Sequence, residues 1–598
     1  MIKIKTNKDS VSDKSKLWRG LVEGIIHPAK KSVRMLMLIL SGIAAGAAIT
    51  FPTNVGACLQ WLIYILAALV MISMSEEEGS AARGRLWRMY RYGFLFFMSE
   101  YLVVYHWFFS FYPLDFTGMS RPSAAVVVMV AWLGLSFLAS VAGGGVFLLF
   151  AVLTRGRAMR RCPFLRPFLG GALFALFEWV ETIGWMGVPW GRIALGQLSI
   201  AGAPTVRVAS WFGSYFVAFA VVSVSFLLAE AIVARRDRRR VILRASIALL
   251  ILAADILLGC AAALSVGSSD IVSNVDSDSD IADAFSVVVP NDGQNDTGGD
   301  HNKIIKVAAI QGNISSKDKF NISSDETSAI YLKLVESAAD SGAKLILTPE
   351  SAMNWSLRDD SKTLSRFCDI AREHETCIVL GCLDGYGEGQ ENILIYILPD
   401  GRVSETVYSK RHLVPFGEYM PWRRLLSTLI PPLAEISILG YDLKAGKSTA
   451  VAELCDGISI GGLICFDSIY EELAASSARD GANILLLGTN DSWFGDSAAV
   501  YMHNAQARLR AIETGLPIVR AANTGISSII DKNGRELCRL EPLVDGIITA
   551  EVEPGRASLY SRTGNIFIYT LIALCAGVAT HDLIFYISDR HRRRKCPA

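Results

Sequence analysis

Residues 245–266 read ASIALLILAADILLGCAAALSV, and the polar tract GSSDIVSNVDSDSDIADAFSVVVPNDGQNDTGGDHN follows at once as residues 267–302. The apolar segment carries one charged residue, Asp255, and is long enough for a helix to cross a bilayer core of ~30 Å. The polar tract holds eight Asp and no Lys or Arg, a composition typical of a solvated linker. The junction therefore separates a membrane part of the chain from a part in water.

Apolar runs of similar length occur on both sides of this junction. We predict eight transmembrane helices, at about 35–52, 57–75, 92–112, 123–153, 168–190, 208–233, 245–266 and 564–588. The predicted organisation is an N-terminal tail over 1–34, a seven-helix membrane domain over 35–266, the linker over 267–302, a soluble domain over 303–562, an eighth transmembrane helix over 563–588 and a basic tail over 589–598.

The charges of the chain are segregated. Its 58 basic and 57 acidic side chains give a net charge of +1, but residues 267–562 carry 26 and 42 of them (−16), and the rest of the chain carries +17. Beside the apolar runs, 29 basic residues fall on one set of alternate loops and tails, and three fall on the other set. The positive-inside rule therefore predicts that both termini are cytoplasmic and that the acidic block lies outside.

The basic clusters also bear on the kind of partner. Every cluster adjoins an apolar run, which favours anionic lipid headgroups over nucleic acid.

From residue 303 onward, short apolar strands alternate with amphipathic helices. Strands are predicted at 304–311, 344–348, 376–382, 391–397, 459–465, 483–488 and 517–521, and helices at 325–341, 361–374, 468–480 and 498–514. This alternation indicates an α/β sheet layered with helices. Turns at Asp400-Gly401 and Asn533-Gly534 predict antiparallel hairpins over 391–410 and 526–540.

Three residues of the soluble domain could carry out acyl chemistry. Glu350 and Cys465 each end a predicted strand, where α/β sheets often present reactive groups, and Lys410 lies in the segment YSKRHL. A thiol can attack a carbonyl once a carboxylate removes its proton, and an ammonium group can stabilise the resulting oxyanion. Taken singly, each also has an ordinary interpretation: a buried thiol, a turn acid and a surface cation.

The sequence around these residues narrows the interpretation. Glu350 ends TPE, Lys410 lies in SKRHLVPFGE, Cys465 ends GGLIC, and the runs TNDSWFG (489–495) and RAANTG (520–525) follow. Together these segments resemble the Glu-Lys-Cys triad and its surroundings in the nitrilase superfamily. With GVPW ending at Trp190, Gly196-Gln197 after it, and the apolar runs, the chain resembles the membrane branch of that superfamily, the apolipoprotein N-acyltransferases.

The resemblance implies an αββα sandwich beside a polytopic helical membrane domain, in a bacterial inner membrane. It implies that Cys465 takes a fatty acyl chain from a phospholipid as a thioester and passes it to the amino group of a lipoprotein's diacylglyceryl-cysteine. Glu350 would be the general base, and Lys410, with the backbone N–H of Phe466, would stabilise the oxyanions. The resemblance implies no metal or soluble cofactor, and we expect a monomer.

Further residues are assigned by the same resemblance. Glu418 matches an acidic position that orients the lysine, although an exposed loop acid is the alternative. Family members commonly have Cys-Tyr-Glu where this chain has Cys465-Phe466-Asp467, so a role that needs a tyrosine hydroxyl is in doubt, while Asp467 could still supply the charge.

Two tryptophans and an apolar segment have open interpretations. Trp493 could line an acyl channel or belong to the core, and Trp190 could contact substrate or anchor at the interface. Residues 420–439 are predicted to form an arm on the membrane beside the site, or else a buried insertion of the soluble domain.

Other acidic residues and the cysteines remain without a specific role. Glu100, Glu178 and Glu181 lie in predicted spans and would face the bundle interior or serve a function. The soluble domain has six cysteines, and those other than Cys465 are most simply buried thiols.

Two other functions compete with acyl transfer. A membrane-tethered amidase would pass its acyl group to water, and a catalytically silent scaffold would need none of the three residues Glu350, Lys410 and Cys465.

Overall fold

The computed structural model describes residues 30–77, 84–114, 119–184, 187–200, 202–265, 304–315, 321–424, 428, 441–455 and 457–595. The predicted linker over 267–302, most of the predicted arm over 420–439, residues 1–29 of the N-terminal tail and residues 596–598 of the C-terminal tail lie outside the described residues.

The first part of the chain is helical. Its helices are α1 (Lys31–Thr50), α2 (Asn54–Ile63), α3 (Ile65–Ser75), α4 (Arg85–Val104), α5 (Arg121–Leu153), α6 (Arg157–Arg161), α7 (Arg166–Val180), α8 (Ile193–Gln197), α9 (Ala209–Phe212), α10 (Ser214–Val233) and α11 (Arg238–Ser265). A 3₁₀ helix, His106–Phe111, follows α4.

Six segments of the described chain are helical, long and apolar enough to cross a membrane. They are Lys31–Thr50, Asn54–Ser75, Arg121–Leu153, Ser214–Val233, Arg238–Leu264 and Ile566–Ser588. The chain is therefore a membrane protein, but its helices do not fully reproduce the predicted count of eight spans.

The other two predicted spans correspond to α4 and α7. Helix α4 carries Arg85, Arg88, Arg91 and Glu100, and α7 has only 15 residues. Both helices pack inside the bundle, α4 against α1 and α5 and α7 against α10. A helix covered by its neighbours needs less apolar surface than a helix that faces lipid.

Small residues allow the closest of these contacts. A Cβ atom on Gly42 of α1 would lie 2.4 Å from the Phe96 carbonyl oxygen of α4, and one on Gly46 would lie 2.5 Å from that of Glu100. Such backbone approach is how helices associate in lipid, where the hydrophobic effect contributes little between them.

The acidic residues of the predicted spans face the bundle interior. Glu100, Glu178 and Glu181 are all buried. The Tyr101 hydroxyl donates to Glu181, and the backbone N–H of Ile193 donates to Glu178 Oε1 at 2.8 Å.

The soluble part is a four-layer sandwich of two sheets between helices. Its strands are β1 (Ile305–Gln311), β2 (Leu345–Leu347), β3 (Met353–Ser356), β4 (Cys377–Asp384), β5 (Glu391–Ile397), β6 (Val403–Ser409), β7 (Ala452–Cys455), β8 (Ile458–Ile464), β9 (Ile484–Thr489), β10 (Ile518–Ala522), β11 (Ser527–Ile530), β12 (Glu536–Leu540) and β13 (Gly546–Val552). Its helices are α12 (Ser324–Asp340), α13 (Ser361–Glu373), α14 (Glu471–Arg479), α15 (Ala498–Thr514) and α16 (Leu559–Thr563), and α17 (Ile566–Lys595) ends the described chain.

One sheet has the order β13-β1-β2-β4-β5-β6, with β3 beside β4, and the other has the order β12-β11-β10-β9-β8-β7. One apolar cluster lies between the sheets, including Val307, Leu345, Ile464 and Leu486. Separate clusters join α12 and α13 to the first sheet, and α14 and α15 to the second. The predicted αββα sandwich is confirmed.

The antiparallel hairpins are confirmed as well. Strands β5 and β6 pair across the Asp400-Gly401 turn, and β11 and β12 pair across Asn533-Gly534. Strands β3, β7 and β13 were not predicted. Strand β13 closes one edge of its sheet by pairing antiparallel to β1.

Buried charge joins the soluble part to the membrane helices. The Arg192 guanidinium, in the loop before α8, lies 2.5 Å from Glu471 Oε2 at the start of α14, and both side chains are buried. The Tyr215 hydroxyl of α10 also donates to Glu471. The backbone N–H of Ser214 donates to Glu513 Oε1 of α15 at 3.0 Å. The first turn of α10 thus binds two helices of the soluble domain.

We expect Glu471→Gln to lower the free energy of unfolding by about 3–5 kcal/mol, because the buried Arg192 loses the carboxylate bonded to it. Chemical unfolding in detergent micelles would measure this change. Asp400→Asn, which breaks the exposed Arg402 pair, is the matched control and should change little; equal effects of the two variants would contradict the expectation.

Candidate active site

The buried ammonium group of Lys410 is bonded to two carboxylates. Lys410 follows the last residue of β6, and its Nζ lies 2.9 Å from Glu350 Oε1 and 2.9 Å from Glu418 Oε1. Burial lowers the pKa of Lys410, but Glu350 and Glu418 outweigh burial and place that pKa well above its usual value. Lys410 therefore stays charged at neutral pH.

A side chain that the sequence analysis missed aligns both carboxylates. Asn392 Nδ2 on β5 donates to Glu350 Oε1 at 2.7 Å and to Glu418 Oε1 at 3.3 Å. Backbone N–H groups hold the other two oxygens, Asn490 to Glu350 Oε2 at 2.8 Å and Val414 to Glu418 Oε2 at 2.9 Å. An Asn inside the apolar run ENILIYI was the available signal, since a buried amide must find partners.

Cys465 follows the last residue of β8 and begins a 3₁₀ turn, Cys465–Ile469. Its φ of +47° is in the left-handed region, which is uncommon for a residue other than glycine. Burial raises the pKa of the Cys465 thiol, the Glu350 carboxylate raises it further, and Lys410 opposes both. The thiol is therefore protonated at neutral pH and needs a base before it can attack.

Asp467 fastens the turn that carries Cys465. Its Oδ2 accepts from the Tyr408 hydroxyl at 2.7 Å and from the Ile464 N–H at 3.0 Å, and its Oδ1 accepts from the His412 N–H at 2.8 Å. Burial raises the pKa of Asp467, whereas Lys410 and the bonded donors lower it. Asp467 thus ties the nucleophile turn to the segment that follows Lys410.

His412, two residues after Lys410 in sequence, is a poor proton carrier at neutral pH. Its burial and the Lys410 charge lower the pKa of His412 to about 4. Its ring stacks on Tyr470 with a centroid separation of 3.8 Å. His412 is therefore a neutral packing residue in this structure.

The predicted aromatic residues have different surroundings. Trp190 is buried and packs against Trp107 of the 3₁₀ helix, with ring centroids 5.0 Å apart, and against Phe494, 6.0 Å apart. Phe466 is buried between His412 and Tyr470. Trp493 is half-buried beside Phe494. Membrane and soluble domains thus share one aromatic cluster next to the site.

Among the described residues, one group of side chains lies close enough together to be considered as a metal site. Donor atoms of Cys465, Asp491 and His503 lie within 4.8 Å of one another. The Asp491 carboxylate, however, is already bonded to the Arg520 guanidinium at 2.7 Å. A cation would have to displace this charge, so the donor set does not fit a metal ion.

Five of the six thiols of the soluble domain have described side chains, and none of these five is cross-linked. Cys368, Cys377, Cys382, Cys465 and Cys538 are free cysteines. Cys377 and Cys382 are buried in β4, as expected for packing residues.

Both halves of the chain match the models of known protein families. Residues 306–562 match the family model described as carbon-nitrogen hydrolase, and residues 42–227 match the apolipoprotein N-acyltransferase N-terminal domain. These two matches lie on opposite sides of the predicted linker.

Two curated relatives are named apolipoprotein N-acyltransferase. The protein from Geobacter metallireducens is 38% identical over 282 residues, which is 46% of this chain and 53% of the relative. The protein from Gloeobacter violaceus is 26% identical over 575 residues, 94% of this chain and 96% of the relative. A solved amidase of the nitrilase superfamily from Nesterenkonia is 16% identical, with 44% of this chain and 96% of the amidase covered and a TM-score of 0.34.

We expect Cys465 to react with iodoacetamide at pH 8 at least about tenfold more slowly than free cysteine, because each unit of pKa elevation removes about tenfold of the thiolate. The rate should still rise above pH 9, beyond the midpoint of an ordinary thiol. Mass spectrometry of the Cys465 peptide would follow the reaction, with N-acetylcysteine and the urea-unfolded protein as references. A midpoint near 8.5 in the folded protein would contradict the raised pKa.

Proposed function

Because the chain belongs to the apolipoprotein N-acyltransferase family, we propose that it transfers a fatty acyl chain from a membrane phospholipid to the amino group of a lipoprotein's diacylglyceryl-cysteine. The observation that carries this function is the buried Glu350–Lys410–Glu418 group, in which the charges of Glu350 and Lys410 both act on the Cys465 thiol. It combines a nucleophile, a base and a fixed positive charge at one place.

In the first half-reaction, Glu350 removes the proton of Cys465 while the sulfur attacks the ester carbonyl carbon of the phospholipid. The oxyanion that forms is stabilised by Lys410 and by the backbone N–H of Phe466. Collapse of this intermediate breaks the ester C–O bond. The lysophospholipid leaves as an alcohol with the proton from Glu350, and the acyl chain remains on sulfur as a thioester.

In the second half-reaction, Glu350 takes a proton from the attacking amino group of the lipoprotein. The nitrogen adds to the thioester carbonyl, and Lys410 again stabilises the oxyanion. Breaking of the C–S bond releases the amide product, and Glu350 returns the proton to the Cys465 sulfur. Glu418 and Asn392 keep Lys410 and Glu350 in place through both steps. Glu418 Oε1 accepts from the Lys410 ammonium group, and Asn392 Nδ2 donates to Glu350 Oε1.

The membrane contacts support transfer over hydrolysis. Trp107, Trp190 and Phe494 form an apolar cover beside the site, and the Arg192–Glu471 pair holds the soluble domain against the helices. A thioester near lipid and away from bulk water survives until an amine arrives. An amidase acting on a small soluble substrate would not need this membrane cover.

The topology follows from the basic loops. Both termini are cytoplasmic, and the soluble domain lies on the periplasmic side of the inner membrane, where lipoproteins emerge. The protein acts as a monomer.

We expect wild-type protein incubated with phospholipid to gain the mass of one acyl chain, and Cys465→Ala to gain none, because the thioester forms on that sulfur. Intact-protein mass spectrometry before and after hydroxylamine would detect the bond. Cys538→Ala, a half-buried thiol of the same domain, is the matched control and should still acylate. With a diacylated lipopeptide present, release of free fatty acid without acylated peptide would favour the amidase.

Replacement of Glu350 by Gln should slow both half-reactions by about 10²–10⁴-fold, since the amide cannot accept the proton. Single-turnover rates of thioester formation and of lipopeptide acylation would measure each half separately. Glu405→Gln, an exposed acid on β6, should leave both rates unchanged. A Glu350→Gln protein that folds and retains wild-type rates would refute the base assignment.

A further inference from the structure

The nucleophile turn has an unusual backbone that must be held. A left-handed φ at a non-glycine residue such as Cys465 costs on the order of 1–3 kcal/mol. Two side chains reach its carbonyl oxygen: the Ser468 hydroxyl donates to it at 2.8 Å, and His503 Nε2 lies 3.2 Å away. His503 Nε2 also lies 3.0 Å from the Ser468 hydroxyl. These contacts fix the orientation of the peptide that carries the thiol.

His503 itself is held rigidly on the opposite edge of its ring. It lies on α15 with a relative exposure of 1%, and its Nδ1 is 2.8 Å from Asp491 Oδ1. Burial alone would raise the pKa of Asp491, but His503 and Arg520 outweigh it and hold this pKa below its usual range. Asp491 is therefore an ionised acceptor. The Thr489 hydroxyl bonds it at 3.2 Å, and Arg520 bonds its other oxygen.

The His503 ring packs against a residue of the membrane domain. The Trp190 ring lies 5.7 Å from it, centroid to centroid, at an interplanar angle of 35°. On the same helix, Gln506 Nε2 donates to the Pro189 carbonyl at 3.2 Å. Helix α15 thus holds the Trp190 segment with one residue and the nucleophile turn with another.

We propose that His503 is a positioning residue for the Cys465 nucleophile. It acts by fixing the Cys465 carbonyl and Ser468 through Nε2, while the Trp190 ring of the membrane domain packs against its own ring. Neither residue touches a reacting atom in this role. The inference rests on the proposed function for its acyl-transfer assay, whereas the alkylation of Cys465 tests it independently.

The test compares two amides that mimic different edges of the imidazole ring. The His503→Gln variant has an amide near the Nε2 position that can bond Cys465 and Ser468, whereas the amide of His503→Asn reaches only the Nδ1 position and Asp491. We expect His503→Asn to lower kcat of acyl transfer on the order of 100-fold with KM for phospholipid unchanged. His503→Gln should retain kcat within about tenfold of wild type. The pH profile of Cys465 alkylation should shift for His503→Asn and not for His503→Gln.

Asn504→Ala is the matched control, since Asn504 is the next residue on α15, is buried, and bonds Ser528 rather than the nucleophile turn. It should lower stability without changing kcat or the alkylation profile. Equal kcat values and equal alkylation profiles for His503→Gln and His503→Asn would overturn the proposal.

Ser468→Ala keeps the test decisive if the His503 variants do not fold. This variant removes one contact to the Cys465 carbonyl and should lower kcat about tenfold; an unchanged kcat and alkylation rate would overturn the proposal. If wild-type protein alkylates as expected but transfers no acyl chain, the proposed function fails, and the alkylation profiles still decide the role of His503.

Discussion

The arrangement of the site depends on one buried ion cluster, in which the Lys410 ammonium lies between the Glu350 and Glu418 carboxylates. An isolated ammonium group would lose its charge in such a place, and two adjacent carboxylates would share a proton. The three charged groups bond one another, and Asn392 Nδ2 donates to both carboxylates, so a carboxylate and a positive charge coexist out of water. The geometry of the surrounding strand ends serves to bring these groups together.

Buried charges that are bonded to one another also occur where the two domains meet. Arg192, Glu471 and Tyr215 form a second buried polar group, contributed by elements that are far apart in the sequence. Such groups define one relative placement of the domains, because any other placement leaves a charge without a partner. Apolar contacts alone would permit sliding, whereas this group and the shared aromatic cluster fix the site beside the membrane helices.

The alternation of strands and helices predicted an α/β sheet layered with helices. The resemblance to a known family predicted the sandwich and grouped Glu350, Lys410 and Glu418, because each lies in a segment that matches a family motif. Sequence reasoning could not find Asn392, Asp491 or His503 as site residues, since their partners come from other strands and helices and only the fold supplies them. The predicted spans at α4 and α7 show another limit. Hydropathy describes a helix facing lipid, and these two helices are covered by neighbours that composition does not reveal.

The soluble domain is continuous with membrane helices at both of its ends, since α11 precedes it and α17 follows it. A catalyst anchored twice samples only a thin layer next to the bilayer. If its substrates are lipids, the quantity that governs its speed is their mole fraction in the membrane, not their amount per litre. Saturation then depends on the composition of the bilayer around each molecule, and dilution of the surrounding solution leaves the encounter rate unchanged.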